Sequence, residues 1–209
     1  YGAQVGMFYD TKAGLKVGAA YKTPQYFNDF EFENTYLDNT PAPGNSFRMD
    51  FPGILSLGTG YSKGVFDIAL DYRYVFYENT EGFEEKGWTS TGSVKGFGWN
   101  DMSIISFGLQ YKGISKLPLR IGYTYNTVPI DEELTFFSAP ATAVIKNAFQ
   151  LGLGYEFSDQ FTVNGVFHYG TSSGSTEGQL LNPMLVSADN PYGAVPGSSV
   201  SYDMTTSMV

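Results

Sequence analysis

Covalent chemistry has one candidate in this sequence. "GTSSG", Gly170 to Gly174, places Ser172 in the G-x-S-x-G spacing of a nucleophile elbow, and His168, the single imidazole of the chain, stands just before it. Such a pair could transfer an acyl group if a strand entered the turn and a helix left it, because that geometry exposes the serine oxygen. The residues after Gly174, "STEGQLLNPMLVSADNPYG", read instead as a long mixed loop, so Ser172 with His168 is kept as the enzymatic alternative to a simple Ser/Gly loop. The chain is expected not to be an enzyme and to need no cofactor. No metal site is expected either. His168 and Asp159 fall at opposite ends of one segment, and the acidic runs "EGFEEK" and "DEE" (Asp131 to Glu133) lack an EF-hand ligand spacing and read as solvated charge. With no cysteines there is neither a disulfide nor a thiolate ligand.

The remaining chemistry is recognition. A carboxylate entering a low-dielectric pocket needs a cation or several donors, and an arginine offers two parallel hydrogen bonds. Arg48 and Arg73 are the first candidates for such anchors, with Lys22 and Lys146 beside them. Their competing role is to pair with Asp50, Asp67 or Asp71 on neighbouring strands. The stretch "TPQYFNDFEFENTYLDN" adds Tyr26, Phe27, Phe30 and Phe32. So many aromatics on one connection form an apolar patch of the kind that binds a ligand or partner, unless they merely extend a strand and pack on neighbouring loops.

The elements that must position these groups are strands. In "VFDIALDYRYVFYEN", Val65 to Asn79, the residues Phe66, Ile68, Leu70, Tyr72, Tyr74 and Phe76 alternate with Asp67, Ala69, Asp71, Arg73 and Val75, which is the period of two that puts side chains on opposite faces of a strand. The same alternation recurs in "YGAQVGMFY", "GLKVGAAYK", "SFRMDFPGILSLGTGY", "MSIISFGLQYK", "LPLRIGYTYN", "KNAFQLGLGYEF", "FTVNGVFHY" and "VSYDMTTSMV". That gives nine expected strands, several longer than the roughly 5–6 residues usual in soluble domains and close to the ~9–11 that cross a bilayer. Pro52 is expected at an irregular pairing. The connections alternate strictly between short and long, the long ones being residues 23–45, 78–99, 127–142 and 171–197.

Long strands with one apolar face, joined by short turns at one end and long loops at the other, define a transmembrane antiparallel up-and-down β-barrel of all-β class. A soluble barrel would need neither such strands nor such loops. Asp67, Asp71 and Arg73 then face the lumen, and Phe66, Ile68, Leu70, Tyr72, Tyr74 and Phe76 face lipid. No apolar run reaches the ~18 residues of a membrane helix, and the first residues have no signal-peptide pattern. The net charge of −9 argues against nucleic acid as a partner. Nine is an odd number, whereas bacterial single-chain barrels have even counts, so residues 1–209 are expected to be the C-terminal portion of a longer barrel.

Six stretches, "GLKVGAAYKTP", "PGILSLGTGY", "FDIALDYRYVFY", "GWNDMSIISFGLQY", "LPLRIGYTYNTVPI" and "FQLGLGYEFSDQFTVNGVFHYG", resemble successive strands of the FadL/TodX family of outer-membrane transporters of long-chain fatty acids and hydrocarbons. The resemblance implies a 14-stranded barrel in the bacterial outer membrane, of which these would be the sixth to the fourteenth strands. The N-terminal plug, the first strands and the kinked third strand would lie upstream of Tyr1, and the terminal aromatic residue that usually closes such a barrel is absent. The function expected is passive transport of hydrophobic small molecules, long-chain fatty acids foremost, with membrane lipid and lipopolysaccharide around the barrel. A barrel serving as scaffold, adhesin or subunit of a surface assembly is the alternative.

Overall fold

The computed structural model describes residues 1–209. Its strands are β1 (Gln4–Asp10), β2 (Leu15–Lys22), β3 (Phe30–Thr35), β4 (Pro41–Phe47), β5 (Gly53–Lys63), β6 (Phe66–Phe76), β7 (Met102–Tyr111), β8 (Leu119–Asn126), β9 (Asn147–Ser158), β10 (Phe161–Thr171), β11 (Thr176–Gly178), β12 (Val200–Tyr202) and β13 (Thr205–Met208). Nine of them form one antiparallel sheet in the order β1-β2-β5-β6-β7-β8-β9-β10-β13, each strand beside its sequence neighbour in the sheet. This is the up-and-down order that short turns impose. The β5–β6 turn is two residues long, and Gly64 adopts φ +59, a left-handed conformation that suits the twist of a tight hairpin.

Register separates the two faces row by row. Leu70, Phe107, Tyr123, Phe149 and Tyr169 are successive cross-strand partners from β6 to β10, while the next row holds Gly58, Asp71, Ser106, Thr124 and Ala148 from β5 to β9. On the apolar face, Leu57, Leu70, Ile105, Ile121, Leu151 and Leu153 are each 44–59% exposed, so no protein layer covers them. Burying such side chains is worth about 1.5–3 kcal/mol each, and a sheet in water would not leave this face bare. Lipid is the solvent that fits. Aromatic residues mark both rims of the band: toward the long-loop end, Tyr74 and Phe76 meet edge-on at 5.0 Å, and Tyr123 and Phe149 pack at a tilt at 5.1 Å. At the turn end, Phe66 and Tyr111 pack at 5.1 Å and Tyr155 and Phe157 at 4.6 Å. Such paired girdles sit at the two membrane interfaces of outer-membrane barrels.

The one densely packed apolar core lies outside the sheet. Leu134, Phe137 and Leu181, 1%, 2% and 6% exposed, pack with Trp88 and Tyr192, bringing together the connections 77–101, 127–146 and 172–204. A 3-10 turn at Glu132–Leu134 seats Leu134 in this cluster. The indole N–H of Trp88 donates to the Tyr192 carbonyl at 2.9 Å, and that of Trp99 to Ser138 Oγ at 2.8 Å, so the buried indoles are satisfied. Three long loops thus form a cap with its own interior.

Three expectations need correction. The strand read from Ser46 starts only at Gly53. Phe47 ends β4, and the segment before β5 makes a single bridge, Phe51 to Gln25, because Pro52 cannot donate to a ladder. The connection 23–45 is not plain loop, since β3 and β4 form an outlying hairpin within it. The last strand is divided: Val200–Tyr202 pairs with β11, and only Thr205–Met208 joins β10.

Candidate functional site

The predicted anchors fall into separate places. At the long-loop end of β2 and β5, Arg48 grips Asp50 with two hydrogen bonds, Nε to Oδ1 at 3.0 Å and Nη2 to Oδ2 at 2.8 Å. The Phe27 N–H donates to the same Oδ1 at 2.9 Å. Asp50 is 5% exposed, and these donors, the Arg48 guanidinium first, hold its carboxyl below the usual carboxylate range while burial pulls the other way. Asp50 in turn pushes the Arg48 guanidinium further up. The Arg48 guanidinium lies 5.9 Å from the Tyr26 ring centre, and the Lys22 ammonium 4.3 Å from that of Phe51, both within cation–π range. Tyr26, Phe27 and Arg48 thus meet around Asp50, while Lys22 reaches only the Phe51 ring beside it. The Arg48–Asp50 ion pair, though, is the bracing role. Arg48 also sits on the irregular segment ahead of β5 rather than on a lumenal strand position.

Arg73 differs from Arg48 in both respects. It stands on the polar face of β6, opposite Ser56 of β5 and Ile104 of β7, exposed and in no ion pair. The face beside it is made of small residues. Gly18 lies opposite Gly58, and a Cβ on Gly58 would come within 2.5 Å of Asp71 Oδ1, so glycine there makes room for the carboxylate. The result is a groove of about 740 Å³ along β1, β2, β5 and β6, bordered by Lys16, Lys22, Asp71 and Arg73.

The other candidates lie apart. Phe30 and Phe32 belong to the β3–β4 hairpin, 52% and 49% exposed, with Tyr36 and Leu37 open beyond them. Lys146 precedes β9, and its backbone joins Asn126 and Thr171, strands away from Lys22 in the sheet. Ser172 is no elbow: it leads into a bend and the short strand β11, not a helix. It is 4% exposed, its N–H donates to the Met204 carbonyl at 2.9 Å and its Oγ accepts from the Met204 N–H at 3.2 Å. His168 Nδ1 faces Gln150 Nε2 at 3.2 Å. No three His, Asp or Glu side chains gather as metal ligands would.

A second polar chain crosses the same face toward the turn end. Lys112 Nζ donates to Asp67 at 2.9 Å, Gln110 Nε2 to Asp67 at 3.2 Å, Arg120 Nε to Gln110 Oε1 at 2.6 Å and Arg120 Nη1 to Asn164 Oδ1 at 2.9 Å. Alternation places Arg120 in the lumen, but its reach over β9 to β10 depends on glycines in β9 and has no signal in its own strand.

A single-layer antiparallel sheet with a lipid-type outer face, two aromatic girdles and a polar groove defines an outer-membrane β-barrel protein. Residues 1–182 match the family described as outer membrane protein transport protein (OMPP1/FadL/TodX), and the chain belongs to that family. Its place is accordingly the outer membrane. Among solved structures, a Pseudomonas aeruginosa FadL homologue is 14% identical with a TM-score of 0.66, over 99% of this chain and 49% of that one. A TodX monoaromatic hydrocarbon channel with a deltaS2S3 mutation is 21% identical with a TM-score of 0.58, over 81% and 44%. The Ralstonia pickettii toluene transporter TbuX is 18% identical with a TM-score of 0.53, over 81% and 42%. The chain spans less than half the length of each. No curated protein matches the sequence. The likenesses establish the shared fold; of these relatives, TodX is named a channel and TbuX a transporter.

Proposed function

We propose that this chain is the C-terminal part of a passive channel through which hydrophobic small molecules, long-chain fatty acids among them, cross the outer membrane. The observation that carries the reading is the groove on the polar face, walled by small residues and holding Arg73 with no acidic partner. A passage for an apolar chain needs free volume, and a passage for a fatty acid also needs a cation not already neutralised. The aromatic β3–β4 hairpin suits first capture at the cell surface, with Lys22, Tyr26 and Phe27 next on the way and Arg73 holding a carboxylate inside. Membrane lipid covers the apolar face, with lipopolysaccharide at the long-loop rim.

The test is equilibrium binding to the complete barrel in detergent, with dodecanoate and toluene as probes. Saturable binding of both is expected, and Arg73→Ala should weaken dodecanoate about tenfold or more, the scale of one charge-assisted hydrogen bond, while leaving toluene unchanged. Saturable binding of neither probe would overturn the reading.

A further inference from the structure

The turn end of the polar face contains a second, separate pocket. It has a volume of about 290 Å³ and is lined by Arg120, Gly122, Gln150, Gly152, Asn164 and Val166, among others. Gly122 and Gly152 line it, and Gly154 beside it leaves room for the Asn164 and Arg120 side chains. A Cβ on Gly122 would come within 2.8 Å of Gln150 Oε1, one on Gly152 within 3.3 Å of Arg120 Cβ, and one on Gly154 within 2.7 Å of Asn164 Oδ1. Gly152 is the direct cross-strand partner of Arg120, and Gly154 that of Asn164, so the arginine lies across β9 where any larger residue would obstruct it.

The way Arg120 is held matters as much as the space. Two neutral amide oxygens, Gln110 Oε1 and Asn164 Oδ1, fix its Nε and Nη1, while Nη2 has no partner. No carboxylate pairs with it: Asp67 is taken by Lys112, and Glu156, farther along β9, forms no ion pair. Amides orient a guanidinium without cancelling its charge. A rigid, half-buried, un-neutralised fork facing a small cavity has the composition of an anion site.

We propose that this pocket is a carboxylate-binding subsite, distinct from Arg73, which takes the head group of an amphipathic acid near the turn end of the lumen. Arg120 supplies the charge and the open N–H donors, and Gln150 borders the slot. Since β6 and β8 hold the two arginines at opposite levels of the wall, an acid released by Arg73 meets Arg120 further along. The inference rests on the transport reading above and adds to it a second holding point selective for acids over neutral hydrocarbons.

The complete barrel in detergent is titrated with dodecanoate labelled with ¹³C at its carboxyl carbon, and in parallel with dodecanol. Two bound carboxyl resonances are expected, one lost in Arg73→Ala and the other in Arg120→Gln, with affinity at the second site falling about tenfold or more. Gln150→Glu, which leaves Arg120 untouched and places a resident carboxylate at the slot, should abolish the same resonance and thereby covers the case of a poorly folding Arg120 variant. Dodecanol, which carries no charge for either arginine to hold, should lose less affinity than dodecanoate in every variant. If the second resonance is missing in the wild type, or persists in both Arg120→Gln and Gln150→Glu, the subsite is refuted while the transport reading stands. If neither dodecanoate nor dodecanol binds the wild type, the transport reading itself fails.

Discussion

Charge placed on adjacent positions of β6 should have opposite consequences if one face meets lipid and the other the lumen. The strand runs Phe66–Phe76, eleven residues, which at about 3.4 Å per residue and a tilt of about 40° covers roughly 26 Å of membrane depth. That is close to the ~25 Å apolar band of such barrels, and it puts the midplane at Asp71, the sixth residue. A native carboxylate at that depth is tolerable only because it faces the lumen, over Gly58. Leu70, the outward neighbour, is 47% exposed on the apolar face. Leu70→Arg should therefore cost about 2–4 kcal/mol, whereas Phe66→Arg, at the rim, should cost about 0–1 kcal/mol. Ala69→Arg points inward, between Gly60 and Gly108, and should cost less than Leu70→Arg by at least about 2 kcal/mol. The assay is reversible denaturant unfolding of the complete barrel in lipid bilayers. Equal costs for Leu70→Arg and Ala69→Arg, or a larger one for Ala69→Arg, would refute the assignment of faces and with it the groove.

The loops give two further expected outcomes. The Asp50 carboxyl is held below the usual carboxylate range, so the stabilisation it brings to residues 25–51 is complete above that range and is lost as the pH falls through its depressed native value. Protection of the Phe27 amide, its exchange taken relative to an unstructured amide at the same pH, should stay high at pH 5 and fall in stronger acid, and Asp50→Asn should remove that fall; loss of protection already at pH 5 would contradict the ion pair. In the cap, Leu134 is 1% exposed, and Leu134→Ala should loosen the packing by about 2–5 kcal/mol. Amides around Trp88 and Tyr192 should then exchange faster while β5 to β9 keep their protection; loss of strand protection to the same extent would show that cap and barrel are not separate units.

What the sequence made legible divides along physical lines. The strands β1, β2 and β6 to β10 are legible to within a few residues because a lipid-facing position is selected singly: each side chain either partitions into hydrocarbon or does not, and the period of two repeats that decision along the strand. The lumen is decided by pairs and triples. Arg48 and Arg73 look alike in sequence, yet one is clamped by a buried aspartate and the other is free, because Pro52 interrupts the strand that would have carried Arg48 inward. The terminal segment is two strands rather than one for a related reason, since Val200–Tyr202 has a partner, β11, that only the returning cap supplies. Arg120 carries the point furthest. Nothing in "LPLRIGYTYN" distinguishes it from any lumenal arginine; its reach is set by two glycines on β9 and an asparagine on β10. In a barrel wall, glycine positions on one strand thus determine which cations on another are extended and available, and they are the residues through which ligand preference can change without altering any charged group.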